Sequence, residues 1–281
     1  MIGSAAAPAS SGNLGPGFDA LALAIDLWCY CEAEPSDRWW IEEQGNGSAG
    51  SASDLVVRAA QLAVGDRPMT LRISNHIPRA RGLGSSAAVS TAVAAAGWRA
   101  MGTEPNDRSL FEIVAGLERH PDNAAAAVYG GLQIAYDGVV RRLPLASELR
   151  VVLAVPHRRL STERARAVLP GAVPHQAAAR SVARMGMLLE GLRTGDADLL
   201  AKASGDELHE LPRRSLSPMT ARLIEAARAA GALHAAWSGA GPTVIAFTTD
   251  AASPAVGGAL AALLGDDGVT LNPDVAHRGW S

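Results

Sequence analysis

Pro78-Arg79-Ala80-Arg81-Gly82-Leu83-Gly84-Ser85-Ser86-Ala87-Ala88 follows a strand-like run, Met69 to Ile77, and opens into an apolar helical pattern that continues to Met101. Two glycines and then two hydroxyls at the start of a helix are the parts of an anion site. Glycine lets the backbone approach an oxyanion closely, and the amides of Ser85, Ser86 and Ala87 would lie at the positive end of the helix dipole. The serine hydroxyls can bind a phosphate oxygen or a metal. Taken alone, the same residues also describe a glycine turn with a serine N-cap.

The rest of the chain narrows the choice. A Gly-x-x-x-x-Gly-Lys-Ser/Thr loop needs a lysine that reaches the β and γ phosphates, and the only lysine in the 281 residues is Lys202. Gly82 to Ala87 formally matches the dinucleotide fingerprint Gly-x-Gly-x-x-Ala. However, the polar stretch Asn75 to Arg81 separates the strand from the glycines, and no apolar strand ending in an acid follows near residue 104.

Composition sets the broad class. The chain is 48% hydrophobic with a net charge of −3, and no run of about eighteen apolar residues is free of charge or glycine. The N-terminus has no basic stretch leading into a secretory core, so a cytoplasmic, globular protein is expected, acting on small molecules rather than on nucleic acid or membrane. Cys29 and Cys31 lie two apart in a strand-like run, on one face, and are expected to be packing residues.

Periodicity predicts strands at Phe18–Cys31, Trp39–Glu42, Met69–Ile77, Gly130–Tyr136 and Arg150–Val155, a Gly/Ser loop at 45–53, and helices at Asp54–Val64, Ala87–Met101 and Ser109–Leu117. Helices are then predicted at Ser161–Val168, His175–Leu192, Pro218–Ala230 and Ala255–Leu264, with strands at Leu233–Trp237 and Thr243–Thr248. This is an α+β pattern. The second half suggests helices on one face of an antiparallel sheet, so two domains are expected, 1–150 and 151–281.

Three further clusters carry chemistry. Pro8-Ala9-Ser10-Ser11-Gly12-Asn13-Leu14-Gly15-Pro16-Gly17-Phe18-Asp19 reads as a rigid polar loop that presents an amide and a carboxylate, the latter suited to an ammonium group. Glu118-Arg119-His120-Pro121-Asp122-Asn123 closes a helix with enough acid, imidazole and amide to hold magnesium and contact a hydroxyl. Ser238-Gly239-Ala240-Gly241-Pro242 joins two strands and alone reads as a hairpin turn.

In this order the clusters resemble the three motifs of the GHMP kinase superfamily, named for galacto-, homoserine, mevalonate and phosphomevalonate kinases. Within it the chain is most similar to the homoserine kinase branch, through Asn13 to Asp19, His120 to Asn123 before Gly130 and Gly131, and Ser161 to Pro170. The resemblance implies an N-terminal domain like domain 2 of ribosomal protein S5, a C-terminal ferredoxin-like domain and a site in the cleft between them. It implies ATP on residues 78 to 88 with Gly239 and Gly241, and magnesium on Ser86 and Glu118 with Thr162. Asn13, Asp19, His120, Arg166 and Arg213 are expected to bind an amino acid, Asp19 its ammonium and the arginines its carboxylate. Glu118, Asp122 and Asn123 are the catalytic candidates. The implied reaction is phosphorylation of the L-homoserine hydroxyl, with another small hydroxy acid such as L-threonine, or a non-catalytic ligand-binding homologue, as the alternatives. A homodimer is also implied. The chain departs from the family pattern at Arg119 and Gly12, which stand where homoserine kinases usually carry glycine and alanine.

Overall fold

The computed structural model describes residues 1–43, 46–51, 54–118 and 120–281. Its elements are β1 (Gly3–Gly12), β2 (Leu21–Pro35), β3 (Trp40–Glu43), β4 (Asn46–Ala49), α1 (Leu55–Val64), β5 (Met69–Asn75), α2 (Ser85–Ala100), α3 (Asp107–Glu118), α4 (Pro121–Tyr129), β6 (Leu132–Tyr136) and β7 (Val139–Leu143), then β8 (Arg150–Pro156), α5 (Thr162–Ala167), α6 (His175–Thr194), α7 (Ala197–Ala203), α8 (Glu210–Arg213), α9 (Pro218–Ala229), β9 (His234–Trp237), β10 (Val244–Thr248), α10 (Ser253–Leu264) and β11 (Gly268–Leu271).

The strands form two sheets. In the first the order is β4-β3-β5-β2-β6-β7, with β1 also paired to β2. Among the described residues its one parallel pair is β3 with β5. The second sheet, β11-β8-β10-β9, is antiparallel throughout. Helix α2 is buried on nearly all sides because its side chains are almost all alanine, serine, threonine and valine, small enough for β1 to lie against it. At Gly3 that approach is so close that a Cβ would sit 2.2 Å from the backbone nitrogen of Ala100.

The second sheet departs from expectation in its cover. Strand β10 is buried at every residue and β8 at all but Arg150, so both faces need packing partners. Val152, Ala154, Val244 and Ala246 meet Leu223 of α9 and Val256, Leu260 and Leu264 of α10. Val151, Leu153, Val155 and Ile245 join a core with Leu188 and Leu192 of α6 and Leu200 and Ala203 of α7. Helices therefore cover both faces, not one.

Other segments also differ from the sequence reading. Residues 46–49, expected as loop, pair antiparallel with β3. Pro8 to Gly12 belong to a strand, so the polar loop begins only at Asn13. Glu118 ends α3, but a second helix, α4, starts at once at Pro121, which is placed at its first turn. The C-terminal segment returns to the first sheet: Ser281 exchanges two backbone hydrogen bonds with Ala6, and Val275 bridges Ile25. Cys29 and Cys31 are buried and unpaired, as expected of packing residues.

Candidate active site

Three backbone turns meet at the mouth of α2. Gly84 caps the helix in the left-handed conformation at φ 58°, and no side chain caps its N-terminus. The first amides of α2 are thus left for an anion. The glycines are required by contact as well as by dihedral angle. A Cβ on Gly82 would lie 2.0 Å from the Ser238 carbonyl oxygen, and one on Gly84 would lie 1.9 Å from Ser10 Oγ. Ser238 Oγ donates to the Gly82 carbonyl at 2.6 Å, and the Gly239 amide donates to the Gly12 carbonyl at 2.9 Å. The 238–242 turn does connect β9 to β10 as a hairpin, but it also holds the other two loops together.

Around this junction lies a cleft of about 140 Å³. It gathers Asn13, Asp19, Ala80, Gly82, Leu83, Gly84, Ser85, Ser86, Glu118, His120, Asp122, Asn123, Thr162, Arg166, Arg213 and Gly239 from segments far apart in sequence. Of the other residues expected at the nucleotide, Ala87 and Ala88 are fully buried in the core behind the helix start. Arg81 is pinned by hydrogen bonds to the carbonyls of Pro156 and His157, and Arg79 pairs with Glu43. Pro78 and Arg79 line a neighbouring groove, and Gly241 packs against the Trp237 ring. Arg119 lies outside the described residues.

The polar groups of the cleft fall into two sets. On the α2 side Ser86 Oγ donates to Glu118 Oε1, with Ser90 Oγ a further 3.5 Å donor to the same oxygen. Burial raises the Glu118 carboxyl pKa, while the two serine hydrogen bonds oppose the shift. Asp122 is buried and pushed up to about 6, chiefly by desolvation, while Asn123 donates to it at 3.2 Å and accepts from Ser10 Oγ at 2.8 Å.

On the opposite side Arg166 grips Asp19 through two hydrogen bonds of 2.7 and 3.1 Å, and its Nε donates to His120 Nε2 at 3.1 Å. Burial, and then Arg166, hold the His120 imidazole below its usual pKa, so it accepts as a neutral ring. Asn13 stands at φ 70°, donates to the Gly239 carbonyl at 2.8 Å and accepts from the Asp19 amide at 3.0 Å. Arg213 is 2% exposed and donates to the carbonyls of Ala165 at 3.2 Å and Gly239 at 3.1 Å. Its guanidinium carbon lies 5.5 Å from the centre of the Phe18 ring.

Sequence reasoning missed Ser10, Phe18 and His209 as parts of this site. Ser10 had a readable signal, since it lies in the quoted motif before Asn13. His209 sits four residues before Arg213 and accepts from its Nη1 at 2.9 Å, but that spacing marks a contact only once α8 is known to exist.

An uncapped helix start, an oxygen-only Ser86 and Glu118 pair and a set of guanidinium, carboxylate and amide groups lining one cleft are the kinds of group that phosphoryl transfer requires. Comparison with known families agrees: the GHMP kinases N terminal domain matches residues 44–131 and the GHMP kinases C terminal domain matches residues 188–265, and the chain belongs to the GHMP kinase family. Its relatives include a homoserine kinase of Thermus thermophilus, 39% identical over an alignment of 271 positions that covers 94% of this chain and 93% of that protein. The homoserine kinase of Moorella thermoacetica is likewise 39% identical, over 93% and 92% of the two chains. Among solved structures, homoserine kinase from Cytophaga hutchinsonii superposes with a TM-score of 0.88 at 25% identity, covering 100% of this chain and 96% of that one. The two-domain α+β fold is therefore that of the GHMP kinases. No helix among the described residues is long and apolar enough to cross a membrane.

Proposed function

We propose that the protein transfers the terminal phosphoryl group of ATP to the side-chain hydroxyl of L-homoserine, giving O-phospho-L-homoserine and ADP. The observation that carries this reading is the pairing of Asp19 with Arg166, beside Arg213, across a small cleft from the start of α2. A zwitterion presents one ammonium and one carboxylate to such a set. Asp19 would take the ammonium, and the guanidinium N–H groups of Arg166 and Arg213 that Asp19, His120, Ala165, His209 and Gly239 leave unused would take the carboxylate. A sugar or a mevalonate-like acid carries no ammonium to satisfy Asp19. The names of the relatives point to the same substrate.

The nucleotide phosphates fit the α2 N-terminus because no side chain caps the helix amides and they open on the cleft. Magnesium fits Ser86 and Glu118, with Thr162 on the cleft wall as a further oxygen donor. No cluster of three or more His, Cys, Asp or Glu suited to a metal occurs among the described residues. Such an ion would therefore complete its shell with phosphate oxygens, the habit of magnesium in phosphoryl-transfer sites. When bound, the metal nucleotide supplies the phosphoryl group and neutralises its charge.

The chain itself aligns and shields. Transfer through a loose transition state needs positioning and positive charge more than a covalent partner. The α2 amides supply positive charge at the phosphates without any lysine, while Arg166 and Arg213 are committed to the acceptor carboxylate. Asp122 and Asn123 line the same cleft, where an acceptor hydroxyl would be within their reach. The hydroxyl proton passes either directly to phosphate or to Asp122, whose carboxyl, pushed up to about 6 by burial, is suited to accept it. The test is product identification: a new phosphomonoester phosphorus signal coupled to a methylene, formed from ATP and L-homoserine, supports the proposal. ADP formed without that signal refutes it.

A further inference from the structure

His209 is fully buried, and its two ring nitrogens join parts of the site that come from opposite ends of the chain. Nε2 lies 2.8 Å from the Gly15 carbonyl oxygen, and Nδ1 lies 2.9 Å from Arg213 Nη1. A carbonyl can only accept and a guanidinium can only donate, so the proton must be on Nε2 and the lone pair on Nδ1. The ring also stacks on Phe18, with centroids 4.8 Å apart and planes 17° apart. Asp206, whose Oδ2 is 3.7 Å from Nε2, is the nearest acid and takes the His209 backbone amide. Burial outweighs that carboxylate and holds the imidazole below its usual pKa, which keeps it neutral.

A second buried imidazole grips the preceding peptide. His234 Nε2 lies 3.0 Å from the Leu14 carbonyl, and its Nδ1 is 3.1 Å from Ser204 Oγ and 3.3 Å from the Leu200 carbonyl. It does not touch Arg213. The 13–19 loop needs such anchors because Asn13, Leu14 and Asp19 all have positive φ, a region that non-glycine residues enter at a cost.

We propose that His209 is a positioning residue for acceptor recognition: it couples the guanidinium of Arg213 to the loop that carries Asn13 and Asp19, so that the carboxylate and ammonium readers form one unit. His234 fixes the same loop without that coupling. The proposal rests on the substrate reading given above and deepens it.

A glutamine at 209 can place its amide where Nε2 was and keep the Gly15 bond, but it offers no acceptor at Nδ1. An asparagine places its oxygen near Nδ1 and keeps the Arg213 bond. His209→Gln is therefore expected to raise the L-homoserine KM about 10- to 100-fold, the range for a lost bond to a charged group, with the ATP KM within about twofold. His209→Asn is expected to retain a lower acceptor KM than His209→Gln. In an Arg213→Ala background His209→Gln should change the acceptor KM no more than about twofold, whereas His234→Gln should act equally in both backgrounds. Ring-nitrogen NMR of the unmutated protein should show a neutral His209 with the proton on Nε2. Multiplicative effects of His209→Gln and Arg213→Ala, or a proton on Nδ1, would overturn the proposal. Absence of homoserine turnover in the unmutated protein would refute the substrate reading instead, and the nitrogen spectrum would then decide the positioning role alone.

Discussion

Replacement of Gly84 by alanine perturbs the junction on which the nucleotide reading depends. The residue sits at φ 58°, where an L side chain costs about 1 to 2 kcal/mol. The new Cβ would lie 1.9 Å from Ser10 Oγ and 3.2 Å from Asn123 Oδ1, so Ser10 must turn away and its 2.8 Å bond to Asn123 is lost. That bond contributes about 1 kcal/mol, which brings the total to about 2 to 3 kcal/mol. In a chain of this size the expected fall in Tm is about 4 to 12 °C. Calorimetry of Gly84→Ala, Ser10→Ala and the double variant tests the local account. The two single changes remove the same hydrogen bond, so the double variant should fall short of the sum by about 1 kcal/mol. In parallel, the ATP KM of Gly84→Ala should rise at least about tenfold, because the clash with Ser10 shifts the turn that presents the α2 amides. A Tm within about 2 °C of the unmutated protein, together with an unchanged ATP KM, would refute the close-approach argument.

Four further outcomes are expected. Glu118→Ala should lose more kcat than Asp122→Asn, and the reverse ranking in single-turnover assays would make Asp122 the required base. Arg213→Ala should act chiefly on the acceptor KM; an unchanged KM would remove it from the substrate site. Asp19→Asn breaks a half-exposed ion pair that contributes no more than about 1 kcal/mol, so Tm should barely move while the acceptor KM rises; a large Tm loss would make Asp19 structural. Burial pushes Glu210 up to about 7, so the folded state holds its proton where the unfolded state has released it, and this contribution to stability is lost as pH rises through 7. The Tm of Glu210→Gln relative to the unmutated protein should therefore improve between pH 5 and pH 8; an unchanged difference would contradict the assigned shift.

The residues that build the cleft were readable because glycine pairs, hydroxyls and an X-Pro helix start carry local chemical constraints. Gly82, Gly84, Asn13 and His120 are each placed by such a constraint, whereas Arg166 came only from the family resemblance, and the structure brings all five to one cavity. Strand β1 was not readable as a strand. Its Gly-Ser-Ala-Ala-Ala-Pro-Ala-Ser-Ser-Gly sequence has poor strand propensity, and it is extended because it lies between α2 and β2, where only small side chains fit. Helices α7 and α8 and strands β7 and β11 were missed because they are short, and their packing partners lie far along the chain. The pairing of Asp19 with Arg166 could not be read at all, since a contact across 147 residues leaves no local trace. The cover on both faces of the second sheet was readable and missed: Val151 to Pro156 of β8 is a continuous apolar run without polar alternation, the pattern of a strand buried on both faces.

The most direct measurement is ADP release by the purified protein with ATP and magnesium against L-homoserine, L-threonine, L-serine, mevalonate and galactose. The account predicts strong turnover with L-homoserine and little with the others. Stronger turnover with any of the other four, whether L-threonine and L-serine or the ammonium-free mevalonate and galactose, or ATP binding without turnover on any of them, would contradict it.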